Sequence, residues 1–206
     1  MSTISASEVN KLRQMTGAGL MDCKKALQET NGDFEAAVDF LRKRGAKIAA
    51  KRADREATEG AVIAMTSADN KTGVVILLSC ETDFVAKNEG FVSFATEIAT
   101  AALSEKPASI EALKTLTVGS VVLESRLLEE VAKIGEKIDV VHYELIEGEN
   151  VVAYIHGANR MGVLVEMNLA PSEANMAAGK DVAAILASEG AKFISTNTPI
   201  RFAPWI

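Results

Sequence analysis

Residues 73–77, Gly-Val-Val-Ile-Leu, return 89 positions later as residues 162–166, Gly-Val-Leu-Val-Glu. At the same offset Val62 falls on Val151 and Met65 on Tyr154, and the loops between are equal in length. Each copy holds two short apolar runs, residues 61–65 with 74–80 and residues 151–154 with 162–169. Such runs around a polar loop predict a β-hairpin. An amphipathic helix is predicted after each hairpin, carried in the first copy by Phe91, Phe94, Ala95, Ile98, Ala101 and Ala102 and in the second by residues 180–188. The recurrence predicts an α+β chain with a duplicated core of antiparallel hairpins. The first copy continues into a second helix near residues 121–133 and a strand at 139–146. The second is expected to be incomplete, lacking that helix and third strand, and to need the first copy or a partner to pack on.

The first 56 residues follow another period. Ser5 with Glu8 three residues later forms a capping box, and Val9, Leu12 and Met15 recur at helical spacing. Thr16-Gly17-Ala18-Gly19 breaks that helix; a second is expected over residues 20–30, with Ala26 and Leu27 inward. Asn31-Gly32 stops it, and Asp33 caps a third whose Phe34, Ala37, Val38 and Leu41 share one face. Residues 42–58 are basic, rich in alanine and free of proline, and predict an exposed helical linker. Two readings stand for that run: a solvated helix face, or a nucleic-acid contact. The expected domains are 1–56, 57–148 and 149–206.

Charge separates the same regions. Residues 1–55 carry eleven Lys or Arg against seven Asp or Glu, while the remainder carries eleven against twenty-one. A basic head on an acidic body implies two modules with different surfaces, and the acidic body disfavours broad binding to phosphate backbones. Two cysteines in 206 residues exclude a disulfide scaffold. No apolar run approaches the length of a membrane helix, and residues 1–8 lack a secretory pattern, so a cytoplasmic protein without a membrane partner is expected.

The residues offer little covalent chemistry. Cys23 and Cys80 lie in no CxxC motif and are expected to be buried thiols. His142 falls within a predicted strand and His156 in a predicted loop, too scattered for a metal site. Gly17-Ala18-Gly19 lacks the further glycine and preceding strand of a phosphate cradle. No cofactor and no enzymatic activity are expected. One segment stands out: Cys80-Glu81-Thr82-Asp83-Phe84-Val85-Ala86-Lys87 joins a strand to a helix that Thr82 or Asp83 could cap. There Phe84 either staples the helix to the sheet or projects into a partner.

Two stretches carry a resemblance. Leu12-Arg13-Gln14-Met15-Thr16-Gly17-Ala18-Gly19-Leu20-Met21-Asp22-Cys23-Lys24-Lys25-Ala26-Leu27 resembles the N-terminal signature of the elongation factor Ts family. Residues 80–87 are similar to its second signature. Lys133-Ile134-Gly135-Glu136-Lys137-Ile138 and His156-Gly157 also match, so the resemblance covers residues 4–195. Leu77 and Ser79 stand where the family usually has Glu and Asn, which implies altered hydrogen bonding along that strand. The last residues, 198–206, match nothing in the family, and the chain is expected to be short at its C-terminal end.

The resemblance implies guanine-nucleotide exchange on elongation factor Tu, GDP-bound or nucleotide-free, during protein synthesis. It implies a ubiquitin-associated-like head that grips the partner through Arg13, Leu20, Met21, Lys24 and, at the end of the linker, Arg52. Thr82, Asp83, Phe84 and Val85 match the segment inserted beside the partner's magnesium. Ile134 and Gly135 match a contact near the phosphates, and His156 a contact with a more distant domain. No direct nucleic-acid contact is implied; a homodimer is left open. The alternative reading is a ubiquitin-associated-type adaptor without exchange activity.

Overall fold

The computed structural model describes residues 4–189 and 200–203. Three helices open the chain: α1 (Ala6–Thr16), α2 (Leu20–Glu29) and α3 (Phe34–Lys51). The expected capping box is formed: Ser5 Oγ accepts the Glu8 N–H, and the Glu8 carboxylate accepts the Ser5 N–H at 2.7 Å. Gly17 ends α1 at φ +67°, and Asp33 caps α3 through the Ala36 N–H. Val9, Leu12, Ala18, Cys23, Ala26, Leu27, Ala37 and Leu41 close a small core among the three. Met15, expected inside, is 59% exposed, because Val9 and Leu12 already occupy the buried stripe of α1.

The helical linker expected over residues 42–58 is the second half of α3, which ends at Lys51 and leaves 52–58 non-helical, and it is not exposed all round. Gly45 lies where the carbonyl of Leu128 on α7 (Leu123–Ile134) leaves no room for a side chain. Ile48 and Ala49 pack on the main core, and Arg42 Nε donates to Glu129 at 2.6 Å. The helix is continuous because nothing between Leu41 and Lys51 breaks it, and its small residues let α7 approach.

The body contains the antiparallel sheet β1-β2-β5, formed by β1 (Glu59–Thr66), β2 (Thr72–Cys80) and β5 (Asp139–Glu147). One face packs on α5 (Glu89–Glu105), α7 and the short α4 (Asp83–Ala86), through Ile63, Ile76, Leu78, Phe91, Phe94, Ile98 and Leu127. A short helix α6 (Ile110–Lys114) and a two-residue ladder, β3 (Thr117–Val118) with β4 (Val121–Val122), fill the connection to α7 and were not foreseen. Ser79 Oγ donates to the Asp139 carbonyl at 3.1 Å, a strand-to-strand tie.

The second hairpin, β6 (Asn150–His156) with β7 (Met161–Met167), lies on the other face of the first, with α8 (Glu173–Glu189) behind it. The two hairpins meet reciprocally. A Cβ on Gly73 would meet Val151 at 2.5 Å, and one on Gly162 would meet Val62 at 2.7 Å. The Val62 N–H donates to the Asn159 carbonyl at 2.8 Å, and the Val151 N–H donates to the Asn70 carbonyl at 2.6 Å. Each pair becomes the other on shifting by 89 residues.

A third strand also stands beside β7, contrary to expectation: β8 (Ile200–Ala203) pairs antiparallel with it. The rest of the unmatched tail lies outside the described residues.

Candidate functional site

β2 ends at Cys80, and the chain turns into α4 within two residues. The Cys80 thiol is buried, donates to the Thr82 carbonyl at 3.3 Å, and is pushed up to about 12 by burial and the nearby Glu136 charge. It is a packed thiol, not a nucleophile.

Thr82 occupies the N-cap position of α4, yet its hydroxyl makes no cap. It donates instead to Glu136 Oε1 at 2.7 Å. Glu136 Oε2 accepts the N–H of Glu81 at 2.9 Å and that of Thr82 at 3.1 Å. Glu136 reaches this turn from the loop after α7, which Gly135 opens at φ +83°. A Cβ on Gly135 would meet nothing within 4 Å, so glycine serves there for the left-handed backbone alone.

Glu81 points the other way. Both its oxygens accept from Arg52 Nη1 at 2.7 Å, and Oε1 accepts the Lys137 N–H at 2.6 Å. Lys137 Nζ donates to the carbonyls of Ala53 and Arg55 at 2.7 and 3.0 Å. Burial pushes the Glu81 carboxyl up, but the Lys137 N–H and the Arg52 guanidinium outweigh it and hold it below its ordinary range. Two carboxylates thus fasten the residue 81–82 turn to the end of α3 and to the loop after α7.

On this base Val85 and Ala86 pack into the core, and Phe84 is left 84% exposed. Of the two readings of Phe84, packing on the sheet falls to its neighbour Val85 instead, and the Phe84 ring projects to solvent. Beside it Asp83 forms an ion pair with Lys87 at 2.6 Å, which draws the Asp83 carboxyl below its usual value.

The head also approaches the end of α7: a Cβ on Gly17 would sit 3.2 Å from the Lys133 side chain, whose chain neighbours Ile134 and Gly135 are half-buried. Arg13 and Lys24 are exposed, and so are Leu20 (47%) and Met21 (69%). Leu20, Met21 and Lys24 line a groove of about 390 Å³ with Ile4, Val9 and Asn10. Met15, also exposed, lines a separate depression with Phe34, Val38 and Arg42.

Two expected positions differ. Arg52 is engaged within the chain by Glu81, and His156 is not in a loop: it is the last residue of β6, paired with Met161 and exposed. Its Nδ1 lies 3.2 Å from the Tyr154 hydroxyl.

Among the described residues no group of three His, Cys, Asp or Glu is placed to hold a metal, and no helix is long and apolar enough to cross a membrane. On α3 and its C-cap, Arg42, Arg44 and Arg52 are engaged in ion pairs with Glu129, Asp22 and Glu81. Lys43, Lys47 and Lys51 remain exposed. Glu81 and Glu136 were missed by sequence reasoning: their bonding partners lie 29 and 55 residues away, where no local pattern reaches.

Comparison with known proteins gives concordant matches. The family model described as elongation factor TS covers residues 81–198. The chain is 49% identical over 185 residues to elongation factor Ts of Amoebophilus asiaticus, an alignment covering 90% of this chain and 67% of that protein. With elongation factor Ts of Rhodopirellula baltica it shares 49% identity over 165 residues, 80% of this chain and 50% of that one. With that of Cytophaga hutchinsonii it shares 45% over 184 residues, 89% and 66% respectively. The chain therefore spans half to two thirds of the length of these relatives.

Proposed function

The chain belongs to the elongation factor Ts family, and from that premise we propose that it is a guanine-nucleotide exchange factor for elongation factor Tu. The observation that carries this reading is Phe84: a large apolar side chain left 84% exposed on a turn that two carboxylates hold in place. Burying such a ring at an interface contributes on the order of 1.5–3 kcal/mol, enough for a hot spot.

Phe84 acts as a wedge beside the partner's magnesium, with Asp83 next to it drawing away a partner side chain. Displacing groups that support the magnesium weakens GDP binding, and by linkage GDP weakens the factor's binding by the same factor. No covalent chemistry and no cofactor of its own enter the cycle, so the protein is not an enzyme in the usual sense. Arg13, Leu20, Met21 and Lys24 form the grip of a ubiquitin-associated-like head, supported by the exposed apolar surface there. Ile134 and Gly135 meet the phosphate side, and His156 a second partner domain. Arg52 serves this surface through Glu81. The body is a duplicated core, a reading supported by the reciprocal Gly73–Val151 and Gly162–Val62 contacts. The proposed domains are 1–56, 57–148 and 149–206, and the working compartment is the cytoplasm.

The test is release of labelled GDP from elongation factor Tu. Substoichiometric chain accelerates release under this reading; release at the spontaneous rate with a folded sample refutes it. Capture of other proteins without elongation factor Tu would instead favour the adaptor reading.

A further inference from the structure

We propose that Glu136 and Glu81 are positioning residues for exchange, setting where Phe84 stands without touching the partner's nucleotide site. The inference rests on the exchange reading above and adds a device to it.

A helix start is ordinarily fastened by its own N-cap side chain. At α4 that local solution is abandoned, since the Thr82 hydroxyl turns to Glu136. One carboxylate then satisfies three donors of the turn: two backbone N–H groups and that hydroxyl. Hydrogen bonds to an ionised acceptor are shorter and stronger than neutral ones, and here they fix the backbone itself. Glu81 ties the same turn to the end of α3 through Arg52 and to the Gly135–Lys137 loop through the Lys137 N–H. Phe84 needs such a base because it has none of its own: its ring is exposed, and the side chain paired with its neighbour Asp83 is that of exposed Lys87. A wedge on a mobile turn would lose backbone and rotamer freedom on insertion, and that cost would be subtracted from its effect on the partner. The clamp settles the cost during folding. It also joins the head to the wedge, because the helix that completes the head ends on Glu81.

The experiment compares Glu136→Ala, Glu136→Gln and Thr82→Val with the parent chain, by two readouts. The first is amide hydrogen exchange at Glu81 and Thr82 in the free chain. The second is GDP release from elongation factor Tu across a range of factor concentrations. Glu136→Ala is expected to speed exchange at both amides and to lower the saturated release rate about tenfold. The half-saturating concentration moves less, because the head grip is untouched. Glu136→Gln keeps an acceptor oxygen for the N–H groups and a group the Thr82 hydroxyl can meet, so it restores both readouts. Thr82→Val, which removes one bond of the three, lowers saturated release a few fold.

Should Glu136→Ala not fold, judged by circular dichroism, the decision passes to Thr82→Val: parental amide exchange and release in that variant overturn the proposal. Loosened amides with undiminished saturated release also overturn it, since the tie would then be purely structural. If the parent chain itself fails to accelerate release while the amides respond as expected, the exchange reading falls and takes the positioning role with it.

Discussion

The chain leaves the second strand of each hairpin for a helix at equivalent places, and builds the two connections differently. After β2, Glu81, Thr82 and the backbone between them are fastened by Arg52, Glu136 and Lys137 from distant parts of the chain, and Phe84 is presented outward. After β7, Ser172 Oγ accepts the Asn175 N–H at 3.2 Å and Asn175 donates to the Ala170 carbonyl at 2.8 Å. That connection is closed by its own residues and leads straight into α8. Shifted by 89 residues, Glu81 becomes Ala170 and Phe84 becomes Glu173. Where the hairpins pack on each other they are reciprocal; where they hand over to helices they diverge. Long-range carboxylates thus mark the hairpin that presents the exposed Phe84, and local capping suffices for the hairpin that leads straight into α8.

The comparison can be strained from both sides. The largest effect on stability is expected where the halves are alike: Gly73→Ala and Gly162→Ala should each cost about 2 kcal/mol, because the new methyl overpacks Val151 or Val62. Urea unfolding of the two variants measures this, and a large inequality would break the reciprocity. Next comes Glu81→Ala, which strips the charge partner from Arg52 and the acceptor from the Lys137 N–H; about 1.5 kcal/mol of stability is expected to be lost. Ser172→Ala, at the locally built connection, should cost about 1 kcal/mol and leave GDP release unchanged.

The smallest effect is an acid titration. Glu81 has its carboxyl lowered from the ordinary 4.5, so its contribution is whole above that value and is lost as pH falls through the lower folded value. The Lys137 amide chemical shift should therefore titrate with a midpoint below 4.5; a midpoint above it would show that burial, not pairing, governs Glu81.

How much of this was legible depended on distance along the chain. The Ser5–Glu8 box and the Asp33 cap rest on contacts three residues apart, and each hairpin strand announces itself by its own apolar run, so the sequence pattern locates them. The unbroken α3 was less legible, because its buried face is made of Gly45, Ile48 and Ala49 rather than a strong apolar period. Met15 fits the helical spacing that Val9 and Leu12 begin, yet spacing alone does not show that two residues already fill the stripe. For Phe84 the residues left staple and projection both open. The family resemblance favoured projection, and the reason for it, Val85 inside and Glu136 beneath, joins residues more than fifty positions apart. The apolar run of the second hairpin ends at Tyr154, which leaves His156 to a loop; the strand itself runs two residues further.

The account stands most directly on a side-by-side rate of labelled GDP release from elongation factor Tu, using the parent chain and Phe84→Ala at equal, saturating concentration. Phe84 is exposed, so the variant should unfold at the parental urea midpoint while its release rate falls about thirtyfold, the equivalent of roughly 2 kcal/mol. A fully folded Phe84→Ala that releases GDP as fast as the parent would contradict the account.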